Sequence, residues 1–246
     1  DLLHDIVYQH EPFVVLVGNN LTDAQRSFAA VKSQLEVNSL LRKVYGDLVP
    51  KISPKQRRKW SDSHFVTNTG IICIAIGALK GRGLNIDGKR PTKVIVDDVE
   101  DREKVRVQAQ RQKLYDWMFQ TLLPAIDRKV GKVKMIGTVL HYDCLILKFF
   151  AKFGGIRRAA IEDKKGKPSF DGKPIWWSKA ELESKREDIG TFAFAQEYMN
   201  DPQSDEHSDV KLAWIKRRST PPKLHDKQGN QKFKVFSALD PNIAMK

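Results

Sequence analysis

Four short apolar runs, separated mainly by segments with helical character, constrain the fold of this chain more than any other feature. The runs occupy residues 14–17, 71–76, 94–96 and 133–136, and residues 156–161 suggest a fifth strand. Short runs that are apolar at nearly every position are typical of strands with both faces buried, and helical connections between them favour parallel pairing. The sequence therefore predicts an α/β fold, in which a mostly parallel sheet is flanked by helices.

Two local signals predict where helices begin. Thr22 and Gln25 have the spacing of a capping box, in which two side chains satisfy free backbone groups at the start of a helix. Ser178 and Glu181 repeat this spacing and predict a second helix that continues to about residue 188. Both predictions depend on local sequence alone.

The balance of charge limits the partners of the chain. Its 43 Lys and Arg residues against 30 Asp and Glu residues give a net charge of +13. Such an excess favours polyanions, because each phosphate that a protein neutralises releases condensed counterions; a basic surface that maintains solubility is the alternative. No run of about 18 apolar residues occurs, so no membrane-spanning helix is predicted. The two cysteines lie in separate apolar runs, which favours buried, reduced thiols in a cytosolic setting.

The strongest chemical signal is the pair of acids that ends the apolar run at residues 94–96. Asp97 and Asp98 follow this run directly, and Glu100 lies two positions beyond Asp98. This order is the Walker B arrangement of motor ATPases. There, one carboxylate holds Mg²⁺ beside the nucleotide phosphates, and a neighbouring acid orients and deprotonates the attacking water. Many buried strands also end in Asp without any such role, and the pattern alone leaves that alternative open.

A second polar group follows the next apolar run along the chain. Residues 133–136 are followed by Gly137 and Thr138. Motor ATPases carry a small polar residue at the end of the corresponding strand, and this residue senses the γ-phosphate. A hydroxyl group can do so because it can change hydrogen-bond partners when that phosphate leaves. The alternative is that Thr138 only caps the strand. Ligands of parallel sheets bind at the carboxyl ends of the strands, so we expect Asp97, Asp98 and Thr138 to lie at one edge.

The order of these and other short motifs resembles the large terminases of tailed phages, the motors that package double-stranded DNA into a capsid and cut it. In chain order the motifs are Gly81-Arg82-Gly83, Arg90-Pro91, residues 94–101, Arg111 followed by Trp117, residues 131–143 and residues 194–202. The resemblance covers residues 5–246. It implies a ring of identical subunits that hydrolyse ATP in the cytoplasm of the infected host cell. It also implies double-stranded DNA, a portal protein and a small terminase subunit as partners.

The resemblance further implies roles for individual residues of the ATPase. Asp97 matches the acid that binds Mg²⁺ with ATP. Asp98 stands where the family usually has Glu, and because its side chain is one methylene shorter, Glu100 is the alternative catalytic base. Thr138 matches the residue that contacts ATP and couples hydrolysis to movement. Arg82 matches a position proposed as an arginine finger that reaches a neighbouring subunit's ATP; an arginine that faces DNA or solvent is the alternative.

The last residues of the sequence resemble the opening of a second catalytic domain. Residues 233–246 contain a run that alternates like a strand and ends at Asp240-Pro241. In the family, a similar strand opens an RNase H-like nuclease whose aspartate binds two divalent metals, Mg²⁺ or Mn²⁺. A strand-terminating Asp before a turn is the alternative. The resemblance therefore predicts three regions: an incomplete ATPase core at residues 1–165, a linker region at 166–232 and a truncated nuclease domain from 233.

One motif that the resemblance requires is missing from the sequence. No G-x-x-x-x-G-K-[ST] pattern occurs in the 246 residues, and the resemblance implies that this phosphate-binding loop comes before residue 1. We therefore interpret the chain as an internal fragment and predict negligible ATP hydrolysis by the chain alone, because that loop supplies most of the phosphate binding. Two alternatives stay open. One is another motor ATPase such as a helicase, and the other is a non-catalytic nucleic-acid-binding protein.

Overall fold

A five-stranded sheet forms the centre of the protein, which the computed structural model describes for residues 1–51 and 60–202. Its strands are β1 (Phe13–Gly18), β2 (His64–Val66), β3 (Ile72–Gly77), β4 (Lys93–Asp97) and β5 (Lys132–Ile136). They are arranged in the order β2-β3-β1-β4-β5. Neighbouring strands are parallel, except that β2 is antiparallel to β3. The predicted α/β fold with a mostly parallel sheet is therefore confirmed.

Two features of the strands differ from the predictions. The edge strand β2 is only three residues long, and Phe65 is its one fully buried side chain. A pattern of three residues is too short to predict a strand from sequence. The fifth strand predicted at residues 156–161 is wrong for most of that segment, because only β6 (Ile161–Glu162) is extended and paired. It pairs with β7 (Lys173–Pro174) in a separate two-stranded sheet. The apolar residues Ala159, Ala160 and Ile161 of this segment pack in a different cluster of buried residues, outside the main sheet.

Helices cover both faces of the main sheet. They are α1 (Leu2–Val7), α2 (Leu21–Val37), α3 (Ser39–Tyr45), α4 (Arg102–Arg106), α5 (Gln108–Asp116), α6 (Leu123–Ala125), α7 (Leu145–Phe153) and α8 (Lys179–Glu197), with a π-helical segment (Trp117–Leu122) between α5 and α6. None of the helices in the described part of the chain is long and apolar enough to cross a membrane.

The burial of β1 explains why its sequence is continuously apolar. Val14 and Leu16 belong to a cluster that includes residues of α1 and α2. Val15 and Val17, which point to the opposite face, belong to a cluster that includes residues of the π-helical segment and α7. Successive side chains of a strand point to opposite faces, so a strand covered on both sides must be apolar at each position.

Two glycines allow the start of α2 to approach the carboxyl ends of β1 and β3. A Cβ atom on Gly18 would lie 2.7 Å from the backbone nitrogen of Ala24, and one on Gly77 would lie 2.8 Å from the backbone nitrogen of Leu21. Neither backbone atom can move away without displacing the helix, so a residue without a side chain is needed at both positions. The first turn of α2 is therefore held at the carboxyl edge of the sheet.

Capping side chains define the starts of the two longest helices. The backbone amide of Asp23 donates to Oδ1 of Asn20 (2.9 Å), so Asn20 caps α2. The capping box predicted from Thr22 is therefore wrong, because the better-placed Asn20 starts the helix earlier. The box predicted for Ser178 and Glu181 is confirmed. The Glu181 amide donates to Ser178 Oγ (3.2 Å), and the Ser178 amide donates to Glu181 Oε2 (2.8 Å).

Residues 157–202, here called the hairpin lobe, contain β6, β7 and α8. The predicted helix end at about residue 188 is confirmed, because Gly190, whose φ of +79° is not helical, separates the first part of α8 from a second helical part. A cluster of buried residues joins its parts: Ala159, Ala160, Ile161, Leu182, Phe194 and Met199. Residues from both sides of the boundary predicted at 165 thus pack together. The rest of the predicted linker and the nuclease strand with Asp240 lie outside the described residues.

Candidate functional site

The two acids and the threonine follow neighbouring strands at one edge of the sheet. Asp97 is the last residue of β4 and pairs in register with Ile136, the last residue of β5. The backbone amide of Asp98 donates to the carbonyl of Ile136 (3.1 Å), and Thr138 lies two residues beyond that carbonyl. Both loops leave the sheet on its carboxyl side because β4 and β5 are parallel. The structure brings these three residues together, whereas their chemical roles stay predictions.

Asp98 has an unusual backbone conformation and an unusual environment. Its φ of +43° lies in the left-handed region, which few residues other than glycine adopt, although aspartate enters it more readily than most. Desolvation raises the pKa of its carboxyl above the ordinary value, and the charge of Asp97 raises it further. A hydrogen bond from the backbone amide of Thr138 lowers this pKa, and the charge of Glu197 raises it. Backbone strain and a raised pKa are features that cluster at functional sites.

A cleft of about 230 Å³ opens beside Asp97 and Asp98. Its other walls are the carboxyl end of β1 and the first turns of α2, which contribute Asp23 and Ser27. Sequence reasoning missed these two residues, although α2 begins directly after β1 and its first turn must therefore lie at the same edge. The cleft offers carboxylate and hydroxyl oxygens, the kind of ligand atom that Mg²⁺ prefers.

The two acids at the end of β4 could hold a metal ion. Proteins usually hold Mg²⁺ through one or two carboxylates together with phosphate oxygens and water, and the acids at the end of β4 offer that number. Within the described residues, one group of three has ligand atoms within 4.8 Å of one another: His4, Asp5 and His10. This group precedes β1 and so lies at the opposite edge of the sheet, where the Asp5 carboxylate already binds Lys93 Nζ at 2.6 Å.

The loop that contains Thr138 is attached to the hairpin lobe. Thr138 lines a narrow crevice together with Asp98. The backbone amide of Val139 donates to Asn200 Oδ1 (2.9 Å), and the side-chain amide of Gln196 donates to the carbonyl of the next residue (3.0 Å). These two side chains are functional candidates that sequence reasoning missed. Their contacts join positions about 60 residues apart, which no local pattern indicates.

Glu100 binds the start of a helix. Its two carboxylate oxygens accept hydrogen bonds from the backbone amides of Leu145 (2.8 Å) and Ile146 (3.1 Å), the first two residues of α7. The N-cap residue Cys144 makes no capping hydrogen bond, so Glu100 satisfies these free amides instead. Desolvation raises the pKa of the Glu100 carboxyl, while the two amides and nearby cations lower it. Since both of its oxygens are engaged, Glu100 is a weaker candidate for the catalytic base than the acid at position 98.

Arg82 lies apart from the acids, in a groove of its own. Gly81 and Gly83 on either side have φ values of +104° and +73°, conformations that glycine adopts without strain, and Arg82 between them is exposed. The indole of Trp117 donates a hydrogen bond to the carbonyl of the residue before Gly81 and so anchors the loop. The groove has a volume of about 570 Å³, and Arg90 also lines it. None of Asp97, Asp98 and Glu100 lines this groove, so Arg82 does not share a pocket with the acids of the same chain.

Comparisons with known proteins do not identify the chain. No protein-family model matches it, and no curated protein is found to be similar to it. The geometry at the ends of β4 and β5, together with the short motifs, is therefore the basis for assigning a function.

Proposed function

We propose that this chain is part of an ATP-hydrolysing motor of the large-terminase type, which moves double-stranded DNA into a viral procapsid and cuts it. The observation that carries the proposal is the adjacency of Asp98 and Thr138. Their strands β4 and β5 end side by side, and the backbone amide of Thr138 hydrogen-bonds the Asp98 carboxylate. A catalytic base and a phosphate sensor must face the same triphosphate, so the proposed mechanism needs this adjacency.

Each polar residue at this edge has a separate role in the proposed mechanism. Asp97 would hold Mg²⁺, and the ion when bound would neutralise charge on the phosphate oxygens. Asp98 orients the attacking water and accepts its proton, and the raised pKa of its carboxyl makes it a stronger base than an ordinary aspartate. Thr138 contacts the γ-phosphate. The hydrogen bond between Val139 and Asn200 then transmits a displacement of the Thr138 loop to the hairpin lobe.

The phosphate-binding loop in this proposal comes from polypeptide outside the 246 residues, because their sequence contains no such motif. β5 offers a place for it. Among the described strands only β4 pairs with β5, so the other edge of β5 is open, and Ile136 there is 43% exposed. A parallel strand added at this edge would end beside Thr138 and bring its following loop to the carboxyl side of the sheet.

Replacing Asp97 in the complete parent protein tests the proposal. Asp97→Ala removes the proposed Mg²⁺ ligand, and we expect DNA-stimulated ATP turnover to fall by about 100-fold or more, as for the loss of other groups that stabilise transition-state charge. The control is Asp188→Ala, which removes an exposed acid from α8 and should keep parental turnover. Equal turnover in the two variants would refute the role of Asp97 in hydrolysis. Absence of DNA-stimulated turnover in the parent protein would refute the ATPase and favour a nucleic-acid-binding protein without catalysis.

Mixing two inactive variants tests whether Arg82 acts across subunits. Subunits with Arg82→Ala keep their acids, and subunits with Asp97→Ala keep their arginine. A mixed ring therefore contains interfaces at which an intact acid site meets an intact arginine. We expect each variant to be nearly inactive alone and the equimolar mixture to recover part of the turnover. No recovery by mixed rings that sedimentation shows to be intact would mean that Arg82 acts within its own subunit or faces DNA.

The nuclease and the partners of the motor belong to the same proposal. Asp240, as a ligand of two divalent metals in an RNase H-like domain, lies outside the described residues. Double-stranded DNA is the substrate, and the net charge of +13 supports a polyanionic partner. The portal protein and the small terminase subunit come from the resemblance of the motifs alone.

A further inference from the structure

A surface of the hairpin lobe exposes two large aromatic rings. Trp176 and Trp177, which follow β7, have 65% and 45% of their surface exposed, although tryptophan is highly buried on average. Their ring centres lie 6.1 Å apart with the planes at 88°. Trp177 also makes an edge contact with Tyr198 at 5.8 Å. The two indoles are therefore held in position by neighbouring rings while their surfaces face solvent.

A fixed cation lies beside this aromatic pair. β6 and β7 pair antiparallel, with Glu162 opposite Lys173. Before β6, the guanidinium of Arg158 lies 6.0 Å from the ring centre of Trp176. The Arg158 side chain is also bound to the buried carboxylate of Glu162 at 3.0 Å, which fixes its orientation. The exposed rings thus lie at the edge of a basic region.

The turn of this hairpin carries concentrated positive charge. Lys164, Lys165 and Lys167 are all exposed. The carboxylate of Asp163 accepts hydrogen bonds from the backbone amides of Lys165 (2.8 Å) and Lys167 (2.9 Å), so this acid shapes the turn. Within the described part of the chain, none of the three lysines forms a salt bridge. The charge of Lys167 interacts with the Asp163 carboxylate, while the charges of Lys164 and Lys165 are available for a partner.

The rings and the lysines are separated by a distance that one nucleic-acid strand can span. Six positions along the chain separate Arg158, beside Trp176, from Lys164 in the turn. At about 3.4 Å per residue in an antiparallel strand, this separation is at most about 20 Å. Sites for unpaired strands in other proteins cover about 4–16 nucleotides, so a short stretch of one strand can reach from the rings to the lysines.

We propose that this surface binds an unpaired nucleic-acid strand, with bases stacked on Trp176 and Trp177 and phosphates held by the lysines of the turn. Proteins that bind single strands without sequence preference combine stacking rings with a basic surface, because every base has a flat face and every nucleotide a phosphate. Paired bases hide those faces inside the duplex, so exposed indoles favour an unpaired strand. The inference rests on the proposed function only in taking nucleic acid as the partner, and it adds a site for an unpaired strand to the proposed double-stranded substrate.

The first test measures stacking. A fluorescein-labelled oligothymidylate is titrated with the 246-residue chain, without nucleotide, and binding is followed by anisotropy. We expect tighter binding than to a duplex of equal length, with quenching of tryptophan fluorescence. Trp176→Ala should weaken binding about fivefold or more, which corresponds to about 1 kcal/mol for one stacked base. Trp176→Phe keeps a ring and should retain most of the affinity.

The second test measures phosphate contacts. Each phosphate neutralised on a single strand contributes about 0.7 to the slope of log affinity against log salt concentration. Replacing Lys164 and Lys165 together by alanine should therefore make this slope shallower by about 1.4. The matched control replaces Lys179 and Lys185 on α8, whose ammonium groups lie within 3.8 and 3.9 Å of carboxylates of the same helix. Their loss should leave the slope unchanged.

Three results would overturn the inference. One is unchanged affinity and slope in the tryptophan and lysine variants, even if the chain binds DNA elsewhere. Another is a preference for duplex that the lysine variants weaken and the tryptophan variants do not. A third is self-association of the chain that Trp176→Ala abolishes without any oligonucleotide, since the rings would then bind a second copy. None of these assays contains ATP, so their failure leaves the proposed ATPase site untouched.

Discussion

Replacing Glu100 by alanine should free the start of α7 and destabilise the chain. The Glu100 carboxylate accepts the backbone amides of Leu145 (2.8 Å) and Ile146 (3.1 Å). One hydrogen bond to a charged group contributes about 1.5–3 kcal/mol, so two contribute about 3–6 kcal/mol before the desolvation of the carboxylate is subtracted. Desolvation is large at this site, since it is the main cause of the raised pKa of Glu100. A net loss of about 2 kcal/mol, the upper end for removing a helix cap, is therefore expected.

Thermal and urea unfolding of the 246-residue chain, followed by circular dichroism, measure this loss. For a chain of this size, about 2 kcal/mol corresponds to a fall of about 4–8 °C in the melting temperature. Glu100→Gln keeps one acceptor oxygen and should lose about half as much stability. Glu103→Ala, which removes an exposed acid from α4, is the matched control and should stay within about 0.5 kcal/mol of the wild type. If Glu100→Ala were as stable as this control, α7 would not depend on Glu100, and the reason for preferring Asp98 as the base would disappear.

Two further predictions concern the carboxyl edge of the sheet. Asp98→Asn should stabilise the chain at neutral pH, because it removes a desolvated charge beside Asp97 and asparagine tolerates the same positive φ. The raised pKa means that the folded wild type binds a proton more tightly than the unfolded chain. The wild type therefore loses stability as pH rises from the ordinary Asp value through the raised one, and the advantage of Asp98→Asn should open over that window in thermal melts. A pH-independent difference would contradict the raised pKa. Gly77→Ala should destabilise the chain by about 1–3 kcal/mol in urea unfolding, because its Cβ would lie 2.8 Å from the nitrogen of Leu21. Gly137→Ala, with its nearest neighbour at 3.4 Å, should change stability by less than about 0.5 kcal/mol, and equal urea midpoints would show that α2 does not need the close approach.

The strands of the main sheet differ in how well sequence identified them. β1, β3 and β4 were identified because burial on two faces requires a nearly continuous apolar run, which is visible in the sequence itself. β5 was identified from a run that Lys134 interrupts, and its exposure alternates because it lies at the edge of the sheet. β2 was missed, since it is a short antiparallel edge strand that needs only Phe65 to be buried. At residues 156–161 the apolar character is real, but its buried partners are Leu182 and Phe194 of α8 rather than the sheet. The composition of a segment indicates that it is buried, but it does not indicate which other element the segment packs against.

Helix starts depend on a few adjacent residues and were therefore partly predictable. The capping box of Ser178 and Glu181 formed as expected because both partners lie within one turn. At α2, Thr22 and Gln25 had the same spacing, but Asn20 is the N-cap residue and the helix begins at Leu21. The close approach of α2 to Gly18 and Gly77, which sequence did not indicate, is consistent with the earlier start.

The sequence by itself determined the positions of the parallel strands and the polar residues that follow them, Asp97, Asp98 and Thr138, because strand periodicity and the order of residues along the chain are local properties. Only the tertiary structure decided which of these groups are free to act. It joined Glu100 to the start of α7 and placed Asp23 in the cleft of Asp98. The physical reason is that hydrogen bonds and clefts form between elements that become neighbours only when β1, β4 and β5 are assembled in one sheet.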